Sequence, residues 1–247
     1  MAVTCTATVT GAAHRHGDRG NQDAAARAQG PGVTAVAVAD GCSAGAGSAL
    51  GAELAVRVAV ACAVRCVASG TPLEALPARV LDEVVAELAH LARACAVDVE
   101  HAGAMVGDAL LATLHVGVAR AGDWCVFGVG DGVVQIDDAL TVLDQGDAPD
   151  YPAYALFPTM AAPRLRVHHL GAVAHGIALG TDGCRELLAR RHEVLHDGTP
   201  VGDLGALLRD PRWAKNPSLP HKRLRAWATQ HGGPHDDCTM VLLRRTP

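Results

Sequence analysis

Aromatic residues make up only 3% of this chain and charged residues 19%, yet there is no block of like charge and no low-complexity run of the kind that marks disorder. With 49% hydrophobic residues over 247 positions, the chain has the apolar surface for a globular core built mainly from small side chains. One domain spanning 1–247 is expected. No apolar stretch reaches the roughly 20 residues that cross a bilayer. The opening MAVTCTATVTG has no basic flank ahead of a long apolar run, so a cytoplasmic location is expected. A basic patch is missing as well. The formal net charge of −5 gives nucleic acid or an anionic membrane no electrostatic footprint. Eight cysteines are present without a CxxC pair. Cys62 and Cys66, one helical turn apart in an Ala/Val-rich segment, read as small buried thiols rather than as a zinc site. Scarce Lys and Ile against abundant Ala, Val, Gly and Arg suit a GC-rich bacterial genome.

What the chain does have is a series of short apolar runs with β-strand character: 4–10, 33–39, 109–119, 124–129, 133–137, 164–169, 174–181 and 238–244. Two helical patterns, over 48–67 and 77–96, separate the second run from the third. In the latter, Val80, Val84, Val85, Leu88, Leu91 and Ala92 form one apolar stripe suited to packing on a sheet. Pro72 and Pro77 mark the break between these helices. Shorter helices are expected over 185–191 and 221–231, and a long ordered loop or flap over 145–163. Strands, then two helices, then more strands imply an α+β layered domain rather than regular βαβ alternation.

Several of the runs end in a carboxylate. AVAVADG contains Asp40, FGVGDG contains Asp131 and IALGTDG contains Asp182. A charged Asp at the rim of a core costs several kcal/mol unless something pairs with it. Asp23 in GNQDAAA and Asp236 with Asp237 before the last run complete an acidic set. Singly, each fits a turn or a strand-end cap, and Gly-Asp-Gly around Asp131 also suits a hairpin turn. Together they suit a hard divalent cation, because Mg²⁺ and Mn²⁺ take oxygen ligands. Two such cations sharing a carboxylate can activate water and hold phosphate oxygens opposite it. His168 and His169 face opposite ways along one run, which argues against a joint metal site there.

In order, GAAHRHGDRGNQDAAA, VAVADGCSAGAG, GDALLATL, FGVGDGVV, IALGTDG and HDDCTMV resemble the successive motifs of the metal-dependent PP2C-type (PPM) protein phosphatases, and in particular the short bacterial branch. The resemblance spans almost the whole chain. It implies a four-layer αββα sandwich of two antiparallel sheets flanked by helices. The implied activity is serine/threonine phosphoprotein hydrolysis by a metal-activated water, with two or three Mn²⁺ or Mg²⁺ ions. A phosphorylated protein substrate and a cognate Ser/Thr kinase system are the implied partners. By the same resemblance, Asp40 bridges two metals and the Gly41 carbonyl binds one of them. Asp182 and Asp236 are the remaining direct ligands of the first metal, Asp23 acts through bound water, and Asp131 helps hold a third ion. Asp237 stands where many relatives have asparagine.

One departure touches substrate binding. Many relatives carry a phosphate-binding arginine five residues before the first-motif aspartate, and here that place is Asp18. Arg15 and Arg19 are the adjacent candidates for gripping phosphate, and His14 is a candidate general acid for the leaving group. Two rivals follow. A weak or inactive relative would act as a regulatory binding protein. Alternatively, Gly41-Cys42-Ser43-Ala44-Gly45 formally matches G-x-S-x-G, so an α/β-hydrolase-type esterase would use Ser43 with Asp182 and His235. Only about forty residues precede that motif, which leaves little room for the strands an α/β-hydrolase places before it.

Overall fold

The computed structural model describes residues 2–146 and 148–245. Its elements, in chain order, are β1 (Ala2–Val9), α1 (Ala12–His16), β2 (Ala24–Gly30), β3 (Val33–Ala39), α2 (Ala49–Ala68), α3 (Leu76–Cys95), α4 (Val99–Met105), β4 (Leu114–Arg120), β5 (Asp123–Val129), β6 (Gly132–Ile136), β7 (Ala139–Leu143), β8 (Arg166–Ala172), β9 (Gly176–Gly180), α5 (Cys184–Ala189), α6 (Leu204–Arg209), α7 (Arg212–Lys215), α8 (Leu219–Gln230) and β10 (Cys238–Arg245).

The described strands form two five-stranded sheets, ordered β1-β10-β9-β6-β7 and β2-β3-β4-β5-β8. Every pairing is antiparallel. The expected α+β sandwich is borne out, and the α/β-hydrolase reading falls, because that fold needs parallel strands joined by helical crossovers. Ser43 and His235 are both exposed, and no hydrogen bond links them among the described residues.

The sheets face each other across a core of small and branched side chains, including Val36, Val38, Val126, Val134, Ile177, Leu179, Val241 and Leu243. Trp124 fills it at one side. A strand covered on both faces should read as a continuous apolar run, and all seven residues of β3 are buried. On its outer face lies α2, whose Ala52, Ala55, Val56, Ala59, Val60 and Ala63 are buried against the second sheet. Small residues along that stripe let helix and sheet approach closely. Next to α2, α3 begins with Pro77 in its first turn and buries Val80, Val84, Leu88 and Ala92 at helical spacing. The other sheet is covered by α5, α6, α7 and α8, short helices plugged into it by Trp213 and Trp227.

Two strands were not expected, and one expected strand needs correction. Ala24–Gly30 is a strand although AAARAQG carries no β-branched residue; it is an edge strand whose pairing with β3 decides its state. Ala139–Leu143 is also an edge strand. The expected strand over 109–119 begins only at Leu114, because residues Val106–Leu110 form one wide π turn that continues α4. The expected flap holds a single 3₁₀ turn, Pro152–Leu156, and its Asp147 lies outside the described residues.

Candidate metal centre

The acidic strand ends meet at one end of the space between the sheets. Asp23 precedes β2 and Asp40 follows β3, so both come from the second sheet; Asp182 follows β9 and Asp236 precedes β10, so both come from the first. Asp131 lies where the chain crosses from one sheet to the other, since β5 and β6 belong to different sheets. The Gly-Asp-Gly sequence is therefore no hairpin turn. Gly130 and Gly132 flank Asp131 at φ of 97° and 141°, conformations that side chains other than hydrogen rarely adopt.

These carboxylates oppose one another's ionisation. Burial, followed by the charges of Asp23 and Asp182 and then Asp236, holds Asp40 well above the usual carboxylate range. Asp23 is pushed up to about 8, chiefly by burial and further by the charge of Asp237. Burial and then Asp236 raise Asp182, while burial and then Asp182 bring Asp131 to about 6. Like charges this close cannot all ionise without a cation among them. Arg185 offsets part of the repulsion at Asp131 and Asp182, although its guanidinium is paired with Asp144 at 2.6 Å.

Side chains that sequence reasoning missed fix this geometry. The buried Thr181 hydroxyl donates to Asp23 Oδ2 at 2.8 Å and accepts the Thr239 N–H at 3.0 Å. Asp23 Oδ1 is left shielded from solvent without a partner, and so is Asp131 Oδ1. His115, fully buried, donates from Nε2 to the Asp131 carbonyl at 2.6 Å. Burial holds its imidazole neutral, bringing its pKa down to about 4. Glu186 on α5 accepts the His235 N–H at 2.9 Å, bracing the segment that carries Asp236. No motif announced these three.

The glycines after the aspartates serve packing. A side chain at Gly41 would meet the Gln22 carbonyl at 2.8 Å and Ser48 backbone at 2.9 Å, and one at Gly183 would overlap the Asp237 backbone. Each Asp-Gly step thus lets a strand from one motif lie directly against another motif.

His14, Arg15 and Arg19 fall on and after α1, and the structure separates them. His14 is buried, with Nδ1 2.7 Å from Asp237 Oδ2 and Nε2 3.9 Å from Asp236 Oδ1. Arg19 reaches the Ser43 carbonyl at 3.1 Å, beside the Asp40 loop. Arg15 bonds the Thr10 carbonyl instead. From the flap, the Tyr151 phenol is buried against the same loop; burial, then Cys42 and Asp40, push its hydroxyl up.

An acidic cluster at the shared end of two antiparallel sheets, with helices outside both, is the arrangement that the PP2C-type resemblance implied. The chain belongs to the Protein phosphatase 2C family, whose model matches residues 10–207. Solved structures of this fold cover the chain almost end to end. A point variant of a bacterial serine phosphatase superposes with a TM-score of 0.62 at 11% identity, covering 100% of this chain and 99% of that one. The serine/threonine phosphatase Stp1 from Staphylococcus aureus gives 0.56 at 12% identity, covering 100% and 96%. RsbX, solved in complex with magnesium, gives 0.51 at 14% identity, covering 99% and 96%. At these identities the likeness carries the fold. No curated protein matches the chain in sequence. No described helix is long and apolar enough to cross a membrane.

Proposed function

We propose that this chain is a divalent-cation-dependent phosphatase that hydrolyses phosphoserine or phosphothreonine monoesters in proteins. The observation that supports it most is the convergence of Asp23, Asp40, Asp131, Asp182 and Asp236 with two buried carboxylate oxygens left unpartnered. An all-oxygen donor set whose members raise one another's pKa fits Mn²⁺ or Mg²⁺. Asp40 would serve two ions and the Gly41 carbonyl one of them, with Asp182 and Asp236 completing the ligands of the first and Asp23 acting through water. Asp131 would hold a third. When bound, such cations activate water and neutralise charge on phosphoryl oxygens.

The chain's own side chains would orient the substrate. Arg19, beside the Asp40 loop, is better placed than Arg15 to grip a phosphoryl oxygen, because Arg15 is tied to Thr10. His14 would protonate the departing seryl or threonyl oxygen. A phosphoprotein substrate requires a kinase that phosphorylates it, and a cytoplasmic location fits that pairing.

Asp18 at the usual arginine place favours a second reading, a regulatory binding protein with little turnover. A structure from the bacterial stressosome shares the fold, with a TM-score of 0.55 at 16% identity. The test is release of phosphate from phosphoserine and phosphothreonine peptides with Mn²⁺, with Mg²⁺ and with chelator. Cation-dependent release is expected. Cation binding without release would favour the regulatory reading, and chelator-resistant release would overturn both.

A further inference from the structure

We propose that Asp237 is a positioning residue, a carboxylate anchored by backbone that holds His14 with Nε2 turned toward the acidic cluster. The inference rests on the phosphatase reading of that cluster. Asp237 is 2% exposed, and every hydrogen bond it accepts comes from the first motif. Oδ1 accepts the Gly11 N–H at 2.7 Å; Oδ2 accepts the Gln22 N–H at 2.6 Å and lies 2.7 Å from His14 Nδ1. A carboxylate oxygen only accepts, so Nδ1 carries the hydrogen of that last bond and Nε2 is the nitrogen that faces Asp236.

The partners cannot drift apart. The Ala12 and Ala13 N–H groups donate to the Pro234 and His235 carbonyls, each at 2.9 Å, lacing α1 to the segment that leads into Asp237. His14 is the buried residue of that helix. The geometry also distinguishes the carboxyl group from an amide. An asparagine here could accept the two backbone N–H groups only through a single oxygen, and its NH₂ would face His14 Nδ1 as a donor. That would select the opposite tautomer.

In the reaction, the phosphorus–oxygen bond breaks with its electron pair passing to the seryl oxygen. For this step the His14 ring enters with a hydrogen on both nitrogens; the one on Nε2 goes to that oxygen, leaving the Nδ1–H form that Asp237 selects, and the proton released by the attacking water restores the ring. No other reactant is needed. The rival arrangement is a cation held directly by His14, Asp236 and Asp237, whose ligand atoms lie within 4.8 Å of one another. Three N–H donors already engage the Asp237 oxygens, leaving one of about four lone-pair sites, and the Mn²⁺ activation midpoint of Asp237→Asn decides between the two arrangements.

The test compares Asp237→Asn with the unmodified protein on a phosphoserine peptide, a poor leaving group, and on 4-nitrophenyl phosphate, which departs without help. A general acid contributes about 10²- to 10⁴-fold. The expected result is a kcat loss of that order on the peptide, KM held within about threefold, a loss at least tenfold smaller on the aryl ester, and an unchanged Mn²⁺ activation midpoint. His14→Gln should show the same pattern, and the double variant should be no worse than either single one. Equal losses on both substrates, multiplicative losses in the double variant or a shifted Mn²⁺ midpoint would overturn the proposal. Histidine nitrogen NMR of the metal-free protein, with His14 assigned by its disappearance in His14→Gln, gives a readout independent of turnover and of how Asp237→Asn folds. Protonation at Nδ1 is expected, and an Nε2–H tautomer would overturn the assignment. Absence of turnover in the unmodified protein would overturn the phosphatase reading and the acid role with it, while the NMR result would still decide which tautomer Asp237 selects.

Discussion

The space between the two sheets is filled in two ways. Over most of its length, side chains such as Val38, Ile177, Leu179 and Val241 exclude water and stabilise the fold at any pH and any cation concentration. At its acidic end, Asp23, Asp40, Asp131 and Asp182 are recessed against one another and each resists ionising. The first region stabilises the protein unconditionally; the second costs free energy that a proton or a bound cation offsets. Substitutions in the two regions should therefore have opposite signs on stability, and only those at the acidic end should act through metal.

The largest effect expected is on turnover. Asp40→Asn and Asp182→Asn should each lower cation-dependent kcat by at least about 100-fold, while the melting temperature of metal-free Asp40→Asn should rise, because a buried group that opposes ionisation has gone. A fall in that temperature would break the comparison. Leu179→Ala should cost about 2–5 kcal/mol of unfolding free energy in denaturant titrations, with Mn²⁺ unable to restore it selectively.

The pH response should sharpen the same contrast. Asp23 has a folded pKa of about 8, above the roughly 3.9 of an unfolded Asp. The folded state therefore holds the extra proton, and the stability it brings is full at low pH and lost as pH rises through about 8. His115 acts in the other direction but only below its unfolded pKa of about 6.5, since its folded pKa is depressed. Metal-free melting temperature should consequently fall between pH 6.5 and about 8.5, and Mn²⁺ should flatten that slope. A rise across this window would contradict the assignment of the cluster.

Smaller effects discriminate within the site. Arg19→Ala should raise KM about tenfold, the worth of one charge-assisted hydrogen bond to phosphate, and Arg15→Ala should leave KM nearly unchanged in the same phosphatase assay. The reverse ranking would reassign the phosphate grip. Ser43→Ala should leave turnover within about twofold, because Ser43 holds Arg19 through its main-chain carbonyl and its exposed side chain makes no hydrogen bond among the described residues.

The layer order and the acidic set were legible because both are written in local pattern. β3 is continuously apolar since both its faces are covered, and α3 repeats its buried positions once per turn. Asp40, Asp182 and Asp131 announced themselves as carboxylates set beside glycine at the ends of apolar runs. Strands β2 and β7 were not legible, because AAARAQG carries no β-branched residue and the five residues of β7 are too short a run to stand out, so pairing with β3 and β6 decides their state. The parts played by Thr181, His115 and Glu186 were equally hidden. Their hydrogen bonds reach across 158, 16 and 49 positions of sequence, respectively, and a threonine, histidine or glutamate carries no mark of such a partner. Asp237 was visible as a charge but not as an anchor, since its partners include main-chain N–H groups that no residue type encodes.

Strands β1 and β10 pair along their full length, Ala2 opposite Arg245 through Val9 opposite Cys238. Strand β1 therefore finds its sheet neighbour only after every residue between it and β10 has been made, a pairing of very high contact order that slows folding. Until β10 arrives, Asp236 and Asp237 are absent from the acidic end and the inner face of the first sheet is incomplete. A chain lacking residues 236–245 lacks Asp236, Asp237 and the neighbour of β1, so synthesis must pass this segment before the acidic end can come together.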